Sequence, residues 1–180
     1  MLDEYPELIA FPAYSWRHIA VAPSDHPLAA CPNVSLADIA QYSIITYNPE
    51  FAGRTRIDAA FTEAGLKPDV RLTAMDADVI KTYVSLGLGI GIVAEQALTG
   101  DSCERLVEIA NSKNLFKANT TKLAIRRRVL LRSYAYRLIE MVAPHLKEAD
   151  LIKVAEPAEI NVDVKLQKLL HAPLPEVARA

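Results

Sequence analysis

No apolar run in this chain approaches the roughly 18 residues that a membrane-spanning helix needs, so no membrane partner is expected. Met1–Leu8 (MLDEYPEL) is acidic and has no apolar segment of the kind a secretion signal carries. Cysteine is scarce. Cys31 and Cys103 lie far apart without metal-ligand spacing, which favours two unpaired thiols in a reducing cytoplasm over a disulfide or a metal site. Neither sign of charge dominates: 20 Lys and Arg stand against 22 Asp and Glu, a net charge of −2 that leaves no footprint for nucleic acid or an anionic membrane. Four histidines are present, His18, His26, His145 and His171, none in a metal-binding pair at helical spacing. There is no GxSxG elbow and no Cys–His signature. These absences argue against an enzyme: no catalytic residues, no cofactor and no metal are expected. There is also no internal repeat and no low-complexity tract.

What is there begins with Met75–Glu95, MDADVIKTYVSLGLGIGIVAE. Val79, Tyr83, Val84 and Leu86 mark the apolar face of a helix, with Asp76 and Asp78 in its first turn, where carboxylates complement the helix dipole. Gly87 supplies a left-handed stop. Ile90, Ile92 and Val93 then make a strand with no polar alternation, as expected of one covered on both faces. GLGIG at Gly87–Gly91 is not a dinucleotide loop, because it follows a helix and opens a strand rather than the reverse. It reads as a helix stop with close backbone packing.

The remaining elements alternate. Leu8, Ile9 and Phe11 look like a strand remnant, and Tyr14–Ala22 is better strand material. Pro23–Pro32 holds three prolines and reads as loop. Ser35 caps a short helix, with Asp38 completing a capping box. Tyr42–Tyr47 is a strand and Asn48–Gly53 a turn. Arg54–Ala64 is a helix with Ile57, Ala60 and Phe61 inward, stopped by Gly65. Lys67–Thr73 is a further strand. This order predicts an α/β fold with a parallel-rich sheet and helices on both faces. Beyond it come a short helix at Gln96–Leu98, a loop with Gly100, and strands at Leu106–Ile109 and Thr120–Arg127. Leu130–Leu146 is a strong helix with Leu131, Tyr134, Leu138 and Met141 on one stripe, ended by Pro144. Lys147–Ala180 reads as a weaker, peripheral tail, with strand-like alternation at Ile160, Val162 and Val164 and a helical turn at Lys165–Leu170.

Two stretches could bind a ligand. Phe51–Arg56 (FAGRTR) joins a strand to a helix, where backbone N–H groups attract anions. Gly53 allows close approach, Arg54 adds charge and Thr55 a hydroxyl. Trp16, the one tryptophan, sits among Tyr14, Ser15, Arg17 and His18 and can line a pocket or pack in the core. His18 itself reads as a structural histidine. Arg126, Arg127, Arg128 and Arg132 read as a solvated rim rather than a nucleic-acid contact.

DHPLA (Asp25–Ala29), FTEAG (Phe61–Gly65) and DADVIKTYVSLGLGIGIVAE (Asp76–Glu95) together resemble the effector-binding domain of LysR-type transcriptional regulators. AYSWRHIAV, QYSIITY, FAGRTRIDAAF, TTKLAIRR and LRSYAYRLIEMVAPHL bring the resemblance closer to the CysB-type branch, regulators of sulfur assimilation. It runs from about Leu8 to Leu146. It implies two lobes of the periplasmic-binding-protein type II kind, one complete and part of the other. Residues 1–13 would be a remnant of the first lobe and a crossing strand, 14–117 the second effector-binding lobe, 118–146 the returning strand and helix of the first lobe, and 147–180 a tail. The stripe of the Leu130–Leu146 helix would then be exposed or covered by a partner chain. The resemblance also implies a cytoplasmic protein whose small anionic effector, acetylserine or sulfate-like, sits between lobes near crossing strands matching Leu8–Trp16 and Thr120–Arg127. It implies a homo-oligomer, dimer or tetramer in full-length relatives, with DNA reached only through an N-terminal winged helix-turn-helix absent from this chain. Trp16 matches a ligand-contacting tryptophan, and Ala52 falls where the branch has a hydroxyl residue. The ligand-binding set is therefore Trp16, Tyr14, Tyr47, Ala52, Gly53, Arg54 and Thr55. A solute-binding module of a transport system shares the architecture but should carry a signal peptide or lipoprotein cysteine.

Overall fold

The computed structural model describes residues 5–98, 105–127 and 129–155. Cys103, His171, Gly100, Arg128 and the segments Ile160–Val164 and Lys165–Leu170 lie outside the described residues. The described residues divide into two compact units, one of residues 5–15 with those from Thr120 to Ala155, the other of Trp16–Asn119.

The Trp16–Asn119 unit is a five-stranded sheet with strands β2 (His18–Pro23), β3 (Ile44–Tyr47), β4 (Val70–Ala74), β5 (Ile90–Ala94) and β6 (Leu106–Glu108), in the order β4-β3-β5-β2-β6. β3 runs parallel to β4 and β5, whereas β2 runs antiparallel to β5 and β6. The sheet is mixed rather than parallel-rich. Parallel neighbours need a long crossover, and only the β3–β4 and β4–β5 connections contain one, the helices α2 (Arg54–Glu63) and α3 (Ala77–Ser85).

Successive strand residues point to opposite faces, and the two cores divide accordingly. Ala20, Ile44, Ile90 and Ile92 meet Ile57 and Phe61 of α2 and Ile39 of α1 (Leu36–Ile39) on one side. Ile19, Val21, Ile45 and Val93 meet Ile80 and Val84 of α3 on the other. β5 is buried from Ile90 to Val93, as a strand covered on both faces must be.

The short α1 carries the capping box its sequence predicts. Ser35 Oγ accepts from the Asp38 amide and the Asp38 carboxylate accepts from the Ser35 amide. The expected proline loop contains a single-turn 3-10 helix at Pro27–Ala30. Pro27 arrives with φ preset for a first helical position, and His26 Nδ1 accepts from Leu28 N. Another 3-10 turn spans Glu95–Ala97, where Gln96–Leu98 was the expected range. The α3 face is rotated from its predicted phase: Ile80, Lys81 and Val84 are buried, while Val79 and Leu86 are 40% and 67% exposed. The predicted face lacked Ile80, which lies one turn before Val84 and completes the buried stripe.

GLGIG packs closely, as its context predicts. Gly87 closes α3 at φ 76°. A Cβ on Gly91 would stand 2.7 Å from Val21 Cγ2 and 2.8 Å from Val84 Cγ2.

The other unit pairs β1 (Leu8–Trp16) with β7 (Asn119–Arg126). Helices α4 (Ser133–Val142) and α5 (Glu148–Ala155) accompany them. Ile9, Phe11, Ala13 and Ile125 pack with Tyr136, Ile139 and Leu151. The helix expected over Leu130–Leu146 is shorter, and its predicted stripe is outward: Tyr134, Leu138 and Met141 on α4 are exposed, while Leu131, which precedes α4, is partly buried against this core. The segment read as a weak tail opens with α5, whose first turn holds Glu148 and Asp150 and whose last turn holds Lys153, charges that suit the two ends of the dipole.

Candidate functional site

Trp16 ends β1 and His18 begins β2, with Arg17 between them. The Arg17 amide donates to Glu95 Oε1 at 2.8 Å, its guanidinium donates to the Phe116 carbonyl at 3.0 Å, and Lys113 closes on Glu95 at 2.8 Å. Glu95 is buried, so this network fixes the strand break firmly. It sets the two flanking rings edge to face, with centroids 4.9 Å apart.

His18 is the centre of the aromatic cluster. Its ring lies 6.3 Å from Tyr47 and 6.2 Å from Phe116, and its side chain is fully buried. Nδ1 meets the side-chain nitrogen of Asn119 at 3.3 Å. Nε2 is buried with no hydrogen-bond partner among the described residues. Burial first, and the Arg56 guanidinium second, hold the imidazole down at about 4, so it is neutral near pH 7.

The N-terminus of α2 stands against this cluster. Gly53 is the N-cap, in ordinary helical geometry at φ −69° and ψ −28°, with no side-chain cap. A Cβ there would lie 3.0 Å from His18 Nε2 and 3.5 Å from Trp16 Cη2. Trp16 and Gly53 are thus neighbours. The Arg54 amide donates to Phe51 O and the Arg56 amide to Gly53 O, while the amides of Ala52 and Gly53 have no acceptor among the described residues. Those donors sit at the positive end of a ten-residue helix, where anions are favoured.

The side chains expected to help are already engaged. Arg54 Nε donates to Asp58 at 2.8 Å and Nη1 to the Tyr47 carbonyl at 2.8 Å. Thr55 Oγ1 donates to the Ala52 carbonyl at 2.8 Å. The Tyr47 hydroxyl accepts from the Ala94 amide at 3.1 Å, and burial pushes its pKa up. Tyr14 belongs to the other unit, packed against the Ile9–Phe11–Ile125 core. The structure brings Trp16, Tyr47, Ala52, Gly53, Arg54 and Thr55 into one region and adds His18, Phe116 and Asn119. Nothing in the sequence marked His18 beyond its nearness to Trp16, because the break between β1 and β2 falls between the two residues.

The family model described as LysR substrate binding domain matches residues 2–147. The chain belongs to this family. Within it, the chain is 54% identical over 150 residues to the HTH-type transcriptional regulator SsuR of Burkholderia cenocepacia, covering 83% of this chain and 48% of that protein. It is 46% identical over 145 residues to the HTH-type transcriptional regulator CysB of the same organism, covering 81% of this chain and 46% of that one. The crystal structure of the cofactor-binding domain of the Cbl transcriptional regulator aligns at a TM-score of 0.77 with 43% identity, covering 87% of this chain and 68% of that one. This LysR-type domain therefore falls in the group of SsuR, CysB and Cbl, which are named as regulators and not as enzymes. It spans about half the length of the curated relatives it matches. Among the described residues no helix is long and apolar enough to cross a membrane.

Proposed function

We propose that this chain is the effector-sensing part of a cytoplasmic LysR-type regulator, and that it binds a small anionic metabolite of sulfur assimilation, acetylserine or a sulfate-like ion. Residues 14–117 would act as the second effector-binding lobe, 118–146 as the return into the first, and 147–180 as a tail. DNA would be reached through a winged helix-turn-helix outside this chain, and regulation would run through a homo-oligomer whose arrangement the effector shifts.

One observation carries the reading. Two amides without acceptors among the described residues open α2 directly beside Trp16 and the neutral, buried ring of His18. A helix start of this kind attracts an anion without a mobile cation, which fits the engagement of Arg54 by Asp58 and the Tyr47 carbonyl. Ala52 contributes no hydroxyl, so recognition rests on backbone donors.

Calorimetric titration with sulfate, thiosulfate and acetylserine tests this. Heat from at least one of them is expected, with quenching of the single tryptophan. Silence from all three removes the effector assignment. Ala52→Thr restores a hydroxyl and should change affinity by on the order of 1 kcal/mol.

A further inference from the structure

Nε2 of His18 is a polar atom buried without a partner among the described residues, an arrangement that folding alone disfavours. A phenylalanine would fill the same aromatic cluster without that penalty. The orientation of the ring adds a second fact. The amide nitrogen of Asn119 faces Nδ1 at 3.3 Å, and an amide N–H meets a ring nitrogen only when that nitrogen accepts. The ring proton then resides on Nε2, making it a donor. A third fact is the residue it faces. Gly53 has φ −69° and ψ −28°, which any residue adopts, so its backbone does not require glycine. A Cβ at this position would come 3.0 Å from Nε2 and 3.1 Å from Cε1, so glycine is what lets the start of α2 lie directly against that edge of the imidazole.

We infer that the Nε2–H of His18 is a specificity-determining donor for the effector, forming with the Ala52 and Gly53 amides a donor-only cradle that selects a fully deprotonated oxyanion over one carrying its own O–H. A sulfate or sulfonate head offers only acceptors near neutral pH. Hydrogen phosphate brings a proton that needs an acceptor, and this cradle supplies none. A neutral donor fits the surroundings better than a charged one, because the Arg56 guanidinium lies close enough to oppose a second cation. This deepens the reading of the α2 start as the effector site and rests on it.

The test uses the whole chain, with sulfate and hydrogen phosphate as calorimetric probes and two variants. His18→Asn keeps an acceptor for Asn119 and deletes the Nε2 donor. His18→Gln places an amide N–H near the Nε2 position. Wild-type protein is expected to prefer sulfate over hydrogen phosphate by on the order of tenfold or more. His18→Asn should lose roughly tenfold in sulfate affinity, while His18→Gln stays within about threefold of wild type. Equal sulfate affinity in wild type and His18→Asn overturns the role of His18 and leaves the effector site standing. No sulfate binding by wild type overturns the inference, and silence from thiosulfate and acetylserine as well removes the effector site with it. Should a variant fail to fold, long-range proton–nitrogen spectra of the wild-type histidines decide: a proton on Nε2 that shifts on sulfate addition is expected, and a proton on Nδ1 overturns the inference.

Discussion

His18 and Gly53 are matched: a single methyl on Gly53 would stand 3.0 Å from the imidazole Nε2, tighter than side chains normally pack. The contact joins β2 to the start of α2. The ring cannot retreat easily, since Asn119 holds its other nitrogen and Trp16, Tyr47 and Phe116 surround it.

Gly53→Ala should therefore be costly for a steric reason alone. Overpacking of this kind destabilises by about 1–3 kcal/mol. Urea denaturation should show the loss, and the double variant Gly53→Ala with His18→Ala should recover part of it, because the clash needs both side chains.

Acid should weaken the Trp16–Asn119 unit earlier than its carboxylates alone would require. The His18 imidazole titrates at about 4 in the folded protein against 6.5 when free. Below pH 6.5 the unfolded chain binds a proton that the folded one refuses, so stability is complete above 6.5 and falls as pH drops toward 4. Between pH 7 and pH 5 the loss should be about 2 kcal/mol. His18→Phe should flatten that part of the profile measured by urea denaturation at the two pH values.

Gly89 is the least replaceable glycine among the described residues. Its φ is 156°, and an added Cβ would collide with the Ser43 carbonyl oxygen. Because the obstacle is backbone, nothing flexible can yield. Gly89→Ala should cost about 3 kcal/mol or more, read as a lowered melting temperature. Gly65→Ala meets no neighbour and should cost only the strain of its φ of 69°, about 1 kcal/mol.

The two faces of α4 should respond oppositely to substitution. Ile139 is buried against the β1–β7 core, and Ile139→Ala should destabilise by about 2 kcal/mol or more. Leu138 is 60% exposed, and Leu138→Glu should change stability by no more than about 0.5 kcal/mol in a monomeric sample. Equal effects at the two positions would contradict the observed helix phase.

Much of this was legible wherever the determinants are local. Ser35 and Asp38 cap α1 because three-residue spacing places each oxygen on the other's amide. GLGIG announced a helix stop because its glycines stand where backbones touch. Helix phase was less legible. On α3 the choice between Val79 and Ile80 depends on which sheet face the helix meets, and that contact is tertiary. Strand direction was hidden for the same reason, since nothing within HIAVAP states that its partners are β5 and β6. In the candidate site Trp16 and Gly53 were visible as residue types suited to a ligand. The engagement of Arg54 by Asp58, and of Thr55 by Ala52, was not, because each hydrogen bond depends on rotamers settled by the folded loop.

The placement of β2 has a bearing on how the chain acquires its shape. This early strand lies between β5 and β6, with Ala20 opposite Ile92 and Val21 opposite Glu108. A ribosome must deliver nearly the whole Trp16–Asn119 unit before His18–Pro23 gains either neighbour. Such distant pairings slow self-organisation and leave an apolar ribbon open during synthesis, so the nascent chain is a natural client for chaperones until Glu108 has emerged.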